Sequence, residues 1–214
     1  MTTDMQGPDG PAHRRRKDAR PSEILAAALR EFADRGYAGT TLAGIAARAG
    51  IARGTVYLYY GSKPDIFDAL MRQKLTDPLA DRAGMLDGFD GSSRALLETL
   101  LALLHADMAD PDATTLLRVL IAEGHRFPDL VRLHHDRIVD HGLGLLRRIV
   151  DRGIARGEFA PDLGDVDLRV VIAPVIMAAV WRIVFEEVAP LDRDRLFRSH
   201  LRVVLDGLRG TAGG

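Results

Sequence analysis

"TTLAGIAARAGIARGTVYLYYGSKPDIF", residues 40–67, packs three helix starts and two glycine stops into 28 positions. Thr41 is placed to cap a short helix with Leu42, Ile45, Ala46 and Ala49 at helical spacing, and Gly50 ends it. After Ile51 and Ala52 a second short helix is predicted from about Arg53 to Tyr59. Ser62 caps a further helix, with Asp65 near the positive end of its dipole and Ile66, Phe67, Leu70 and Met71 as its buried face. Upstream, Ser22 starts a helix over about 22–35 with Ile24, Leu25, Ala28, Leu29 and Phe32 on one face, stopped by Gly36 before apolar Tyr37. Two short helices joined by a tight glycine turn and supported by a preceding helix make a helix-turn-helix unit, whose second helix enters a major groove.

The second helix is rich in tyrosine. Tyr57, Tyr59 and Tyr60 are three of the chain's four tyrosines, in a protein with only 6% aromatic residues. A tyrosine packs its ring on the protein while its hydroxyl projects to a phosphate oxygen. Tyr57 and Tyr60 lie three apart and share a face, and Tyr59 points elsewhere. Tyr60 is therefore assigned to packing, Tyr59 to phosphate contact and Tyr57 to the boundary between them. Lys63, beside the free amides of the next helix, forms a phosphate anchor. Gly54 and Gly61 let backbones come close.

Bulk composition agrees with one side of the molecule meeting a polyanion. The net charge is −1, yet residues 1–63 hold ten Lys/Arg against six Asp/Glu, while the remainder is net acidic. With 214 residues, 47% of them hydrophobic, the chain can bury a substantial core. It has no cysteine, which excludes disulfides and thiolate metal sites and makes the cytoplasm the expected location. The first residues are polar, with a basic run at 13–17 and no apolar core after it, so no signal peptide is expected. Residues 1–17 read as a disordered basic arm, either a solvated terminus or one that reaches the DNA backbone or minor groove. The longest apolar run, Val170–Trp181, is too short to span a bilayer and contains Pro174.

The stretch from Pro21 to Leu70 resembles the DNA-binding domain of the tetracycline-repressor (TetR) family of bacterial transcriptional regulators. The resemblance rests on Thr40-Thr41, Ile45-Ala46, Ala49-Gly50-Ile51, Gly54-Thr55, Tyr57, Tyr59-Tyr60 and Ser62-Lys63, preceded by Phe32 and Gly36-Tyr37. It implies that Thr41, Arg53, Thr55, Tyr57, Tyr59 and Lys63 occupy positions that commonly touch DNA. Ala52 stands where the family usually has Ser, so the recognition helix loses its customary cap, and Ala43 and Gly44 stand where it often has polar residues. "EGHRFPDL" (123–130) and "ARGEFAPD" (155–162) resemble the family's ligand-binding and dimerisation half more loosely. That resemblance implies a homodimer built by the last two helices.

The chain is expected to be all-α, with a DNA-binding domain over 18–78 (helix-turn-helix motif 41–60) and a ligand-binding and dimerisation domain over 79–214. Helices are predicted near 93–109, 113–125, 128–156, 164–187 and 192–209, and 77–92, with Gly84, Gly88 and Gly91, as a mobile connector. Arg118, Glu123 and His125 are isolated polar residues among apolar helices, the makeup of a pocket for an apolar or aromatic small molecule. His125 reads either as a structural histidine or as a ligand contact. "VVIAPVIMAAVW" is apolar on every face and must be covered all round, either by the chain's own core or by a second subunit. The dimer that the resemblance implies assigns Ile176 and Val180 to a subunit interface with Leu201 of the last helix and with Arg195 at its rim or on solvent. Met177 and Trp181, four apart, line either pocket or interface. His134, His135 and His141 share a helix without an i, i+4 histidine pair or an HExxH run, so no metal site is expected. No cofactor is called for either.

The expected function is a dimeric repressor that leaves an inverted-repeat operator when a small molecule binds. A helical enzyme and a protein-binding adaptor with an appended helix-turn-helix are the alternatives. No nucleophile–base spacing, phosphate loop or paired-carboxylate motif supports the enzyme.

Overall fold

The computed structural model describes residues 11–208, with side chains from Arg20 onward apart from those of 79 and 85–87. Residues 1–10 of the basic arm lie outside the described residues. Every regular element among the described residues is helical. The chain divides into two compact units, Met1–Leu70 and Met71–Gly214.

The first unit contains α1 (Pro11–Gly39), α2 (Leu42–Arg48), α3 (Arg53–Tyr59) and most of α4 (Lys63–Met71). α1 starts earlier than 22, so positions 11–17, read from sequence as disordered arm, have a helical backbone. Proline is tolerated at a first helical position, and the alanines and arginines that follow are good helix formers. The helix breaks at Gly36 (φ 67°, ψ 176°), the expected glycine stop. α2 ends at a second one: Gly50 has φ 66°, its N–H donates to the Ala47 carbonyl, and the Ile51 N–H donates to Ala46, the paired bonds of a Schellman turn. α3 has Ala52 at its cap and no side-chain bond there.

Ile24, Ala28, Phe32, Ile45, Val56, Ile66 and Phe67 form the core of this unit. Phe32, Tyr37 and Phe67 pack as a ring triad with centroids 5.5–5.9 Å apart. The buried Glu31 carboxylate fixes α2 against α1 by accepting from Arg48 Nε at 2.7 Å, and the same guanidinium pairs with Asp34 at 2.6 Å. A Cβ on Gly44 would stand 3.0 Å from Glu31 Oε2, which explains a glycine inside so short a helix.

Lys63 holds the unit together from the other side. Its ammonium donates to the carbonyls of Tyr37 (2.5 Å) and Thr40 (2.9 Å), reaches that of Ala38 (3.4 Å), and lies 4.4 Å from the centre of the Tyr37 ring. Tyr37 and Ala38 belong to the last turn of α1 and Thr40 follows it, so the ammonium ties the end of α1 to the start of α4. Lys63→Met is expected to destabilise the unit by about 1.5–3 kcal/mol, the range for hydrogen bonds to a charged group. A thermal melt of the full chain followed by circular dichroism measures this, and an unchanged first transition would show that the carbonyls find water instead.

The second unit contains α5 (Asp77–Asp87), α6 (Ser93–Ala109), α7 (Pro111–Glu123), α8 (Pro128–His134), α9 (Asp140–Ala155), α10 (Arg169–Phe185) and α11 (Arg193–Gly207). π-helical turns at Arg72–Thr76 and His135–Val139 precede α5 and α9, and a 3-10 turn covers Pro161–Asp165. Three expectations change. The 77–92 connector is helical over α5, which continues directly from the π turn, so Pro78 is carried within an unbroken helical backbone. The single helix at 128–156 is α8 and α9 joined through the π turn. The helix expected from 164 begins at Arg169 after the 3-10 turn.

α6 is the central helix. Leu96, Leu97, Leu100 and Leu101 pack with Leu145, Leu146, Ile149 and Val150 of α9 and with Val171, Leu205 and Leu208. The Glu158 carboxylate accepts from the Ser93 N–H at the start of α6, where the helix dipole favours negative charge. Two histidines join α6, α10 and α11: His200 Nε2 meets the Val171 carbonyl at 2.9 Å, and His200 Nδ1 meets His105 Nε2 at 2.9 Å. A carbonyl only accepts, so His200 Nε2 carries the hydrogen and His200 Nδ1 accepts from His105. No helix among the described residues is long and apolar enough to cross a membrane.

Candidate nucleic-acid interface and effector cavity

α3 buries Val56 and turns its other side outward. Arg53 Nη2 donates to the Tyr57 hydroxyl at 3.0 Å, and the guanidinium lies 5.4 Å from the centre of the Tyr57 ring. The i, i+4 spacing brings the two side chains together. Gly54 is exposed, and a Cβ there would meet nothing within 4 Å, so the chain's own packing does not demand glycine. Thr41 caps α2 by accepting from the Gly44 N–H at 3.0 Å. Thr55 is half-buried, as are Tyr59 and Tyr60, whereas Tyr57 is 45% exposed. The structure thus brings Arg53, Gly54 and Tyr57 onto one open face. It places the Lys63 ammonium on backbone carbonyls, where the sequence suggested a phosphate.

Leu58 belongs to that open face as well and was missed. It is 82% exposed, more than any other large apolar side chain among the described residues. The available signal was its phase: two positions beyond buried Val56, it points to roughly the opposite side of the helix.

The second unit contains a half-open cavity of about 1030 Å³. Leu75, Leu100, Leu104, Leu117, Ile138, Leu143, Ile172 and Val175 line it, together with Met177 and Trp181. The other three pocket candidates do not. Arg118 and His125 are exposed and Glu123 is half-buried, and none of them lines the cavity. Arg118 sits one position round α7 from Leu117, and about 100° of rotation separates the wall from solvent.

Polar side chains are few in the wall. Trp181 Nε1 donates to the Ala189 carbonyl at 2.8 Å, leaving its ring to the cavity. Arg169 forms a bidentate pair with Asp167, whose carboxyl that guanidinium holds down to about 2. His134 also lines the cavity, and its Nδ1 is buried without a hydrogen-bond partner. Its neighbours turn away: His135 pairs with Asp136 and Asp140, and His141 Nδ1 meets the Asp136 carbonyl at 2.8 Å. The three histidines do not converge.

Burial, reinforced by the charge of His135, lowers the His134 pKa to about 4. His105 and His200 are also held below the ordinary value by burial. In the unfolded chain each titrates near ~6.5. Below that pH the unfolded state binds protons the folded state refuses, so stability is present above about 6.5 and is lost as pH falls toward the folded values. His134 alone contributes a slope of up to about 1.4 kcal/mol per pH unit in that window. Melts at pH 7.5, 6 and 5 are expected to show a falling transition, less steep in His134→Gln. A flat profile would place water on all three imidazoles.

Of the residues assigned to a subunit interface, Ile176 and Val180 line the cavity on α10, and Ile176 is also exposed. Arg195 is exposed, and Leu201 packs partly against the core of its own unit. The exposed apolar residue of α11 is Val203, at 72%. On α10, Met177, Val184 and Phe185 continue the exposed stripe beside Ile176.

Residues 24–70 match the family of bacterial regulatory proteins, tetR family, and residues 90–199 match the tetracyclin repressor-like C-terminal domain. The chain belongs to the TetR family. It is a DNA-binding transcriptional regulator. Among named relatives, the HTH-type transcriptional repressor KstR2 of Rhodococcus jostii (strain RHA1) is 30% identical over 200 residues, covering 90% of this regulator and 92% of the relative. KstR2 of Mycolicibacterium smegmatis is 29% identical over 212 residues, 96% of each chain. Among solved structures, the fatty acid degradation regulator FadR from Bacillus halodurans superimposes with a TM-score of 0.72 at 21% identity, covering 95% of this chain and 99% of that one. FadR from Bacillus subtilis, solved in complex with stearoyl-CoA, gives 0.70 at 20% identity over 88% and 99%. These two likenesses concern the fold of this regulator.

Proposed function

We propose that the protein is a homodimeric repressor that binds an inverted-repeat operator through α3 and is released by an apolar small molecule held in the second unit. The cavity carries this reading, because about 1030 Å³ lined almost wholly by apolar side chains suits an apolar effector. Arg53, Thr55, Tyr57 and Leu58 read base edges, Thr41 and Tyr59 contact phosphates, and Gly54 admits the DNA backbone closely. Lys63 acts through the end of α1 that it holds. The exposed stripe of α10 with Val203 of α11 forms the two-fold interface. Leu75 belongs to both the cavity wall and the π turn that follows α4, so an occupied cavity bears on the element next to the DNA-binding unit in sequence. On this reading the protein works in the cytoplasm, binding and releasing without catalysing.

The test starts with a site selected from a random DNA pool, which is expected to be an inverted repeat. Operator affinity is then measured with and without long-chain acyl compounds, stearoyl-CoA first because the FadR from Bacillus subtilis was solved with it. A coupling of about 1–3 kcal/mol is expected, and saturating operator must weaken the compound by the same factor. If compounds that alter Trp181 fluorescence leave operator affinity unchanged, the second unit is a dimerisation scaffold.

A further inference from the structure

The crest of α3 is apolar. Val56 is the buried residue of this helix, and Gly54 and Leu58 each lie about 200° of helical rotation from it, so these two form the ridge farthest from the unit's core. Gly54 has no side chain, and a Cβ there would meet nothing within 4 Å. Leu58, 82% exposed, is therefore the only side chain that α3 places on the ridge. Arg53 and Tyr57 occupy one flank, joined by their hydrogen bond, and half-buried Thr55 and Tyr59 occupy the other.

A lone leucine on an ordinary surface needs no explanation. This one stands on the second helix of a helix-turn-helix unit, the element that a major groove receives, where the leading ridge faces the base edges and the flanks face the sugar-phosphate walls. An isobutyl group has no donor or acceptor to offer. Set over the N7 and O6 of guanine, or over the amino group of adenine or cytosine, it displaces water from polar atoms and pairs none of them. Thymine alone presents an apolar group on its major-groove edge, the C5-methyl. We propose that Leu58 is a specificity-determining residue that reads thymine, burying its C5-methyl at one position in each operator half-site.

This assignment rests on the reading of α3 as the operator-binding helix and goes beyond it in naming the base and the group contacted. Gly54 supports it independently. A glycine weakens a helix, and the packing of the unit leaves open space at this one, so its benefit lies outside the unit. A side chain at 54 would rise from the same ridge about 40° from Leu58 and hold the helix off the groove floor.

The experiment uses the full-length protein and the operator selected from a random DNA pool. Each thymine is replaced by deoxyuridine, one position at a time and symmetrically in both half-sites, which removes the methyl and keeps every hydrogen-bonding atom. Affinities of wild type, Leu58→Ala and Leu58→Met are read by fluorescence anisotropy, with far-ultraviolet circular dichroism confirming each fold. At one thymine position wild type is expected to lose about 4-fold per half-site, about 15-fold for the pair, the worth of burying one methyl-sized group twice. Leu58→Ala should bind the thymine and uracil duplexes equally at that position, and Leu58→Met should keep most of the discrimination. Comparing variants on the same two duplexes separates the contact from any effect of the methyl on DNA shape. If Leu58→Ala weakens both duplexes by the same factor, the leucine touches sugar or phosphate and the assignment falls. It falls equally if wild type tolerates uracil at every position. In both cases a selected inverted repeat leaves the operator reading standing. If the pool yields no preferred sequence, the operator reading itself fails and takes this assignment with it.

Discussion

Val184→Glu is expected to turn the protein from a dimer into a monomer. Val184 is 58% exposed on α10, in a stripe with Ile176, Met177 and Phe185 and near the sequence position of Val188, which is 81% exposed. On the two-fold reading proposed above, these large apolar groups are the face that a second copy covers. In a two-fold interface each substitution occurs twice. A buried unpaired charge costs about 3–5 kcal/mol, so the pair costs about 6–10. That raises the dissociation constant by about 10⁴ or more. Val184 is a cleaner choice than Ile176 or Val180, because it does not line the cavity and its replacement leaves the wall intact. Light scattering after gel filtration reads the mass, and operator titration should show the loss of two-site binding. A well-folded Val184→Glu dimer would move the interface off α10.

Arg53→Ala should abolish most of the discrimination between operator and unrelated DNA. The guanidinium is held at the open face by the Tyr57 hydroxyl and ring, so the side chain is partly ordered before it meets a base. A good base-edge contact is worth about 1–3 kcal/mol. A dimer loses two, about 2–6 kcal/mol, which corresponds to between about 30-fold and about 10⁴-fold in affinity. Tyr57→Phe keeps the ring and removes the hydroxyl, so its effect should have the same direction and a smaller size. The check is anisotropy on the selected operator and a scrambled duplex at two salt concentrations. Equal losses on both duplexes, with a shallower salt slope, would make Arg53 a phosphate contact.

The helix-turn-helix was legible because its signals are local. Thr41, Gly50 and the spacing of Ile45, Ala46 and Val56 act within one or two turns, and α3 runs over the expected Arg53–Tyr59. Lys63 shows where local reading stops. Its position at a helix start was visible, but its ammonium reaches carbonyls more than twenty positions back, and no pattern in the sequence displays that. The cavity lies further out of reach, since Leu100, His134 and Ile172 meet there only after α6, α8 and α10 have packed. Arg118 looked suitable by composition and lies on the wrong side of its helix; His134 was weighed only as a metal ligand. Leu201 and Val203 differ by two positions on α11, enough to exchange a core-facing residue for an exposed one. The glycines of 77–92 suggested a connector, yet a glycine costs a helix only about 1 kcal/mol, and α5 absorbs Gly84.

The π turn at His135–Val139 gives the cavity one place where the gene can change in length. Such a turn is an α-helix with one surplus residue taken up locally. Removing a single codon there would restore regular winding and leave α8 and α9 in nearly their present phase, so Gly142 and Leu143 would keep facing the cavity. The same deletion inside a regular stretch of helix would turn everything beyond it by about 100°. A loss of three nucleotides is therefore absorbed at one address and rearranges the wall a few codons away.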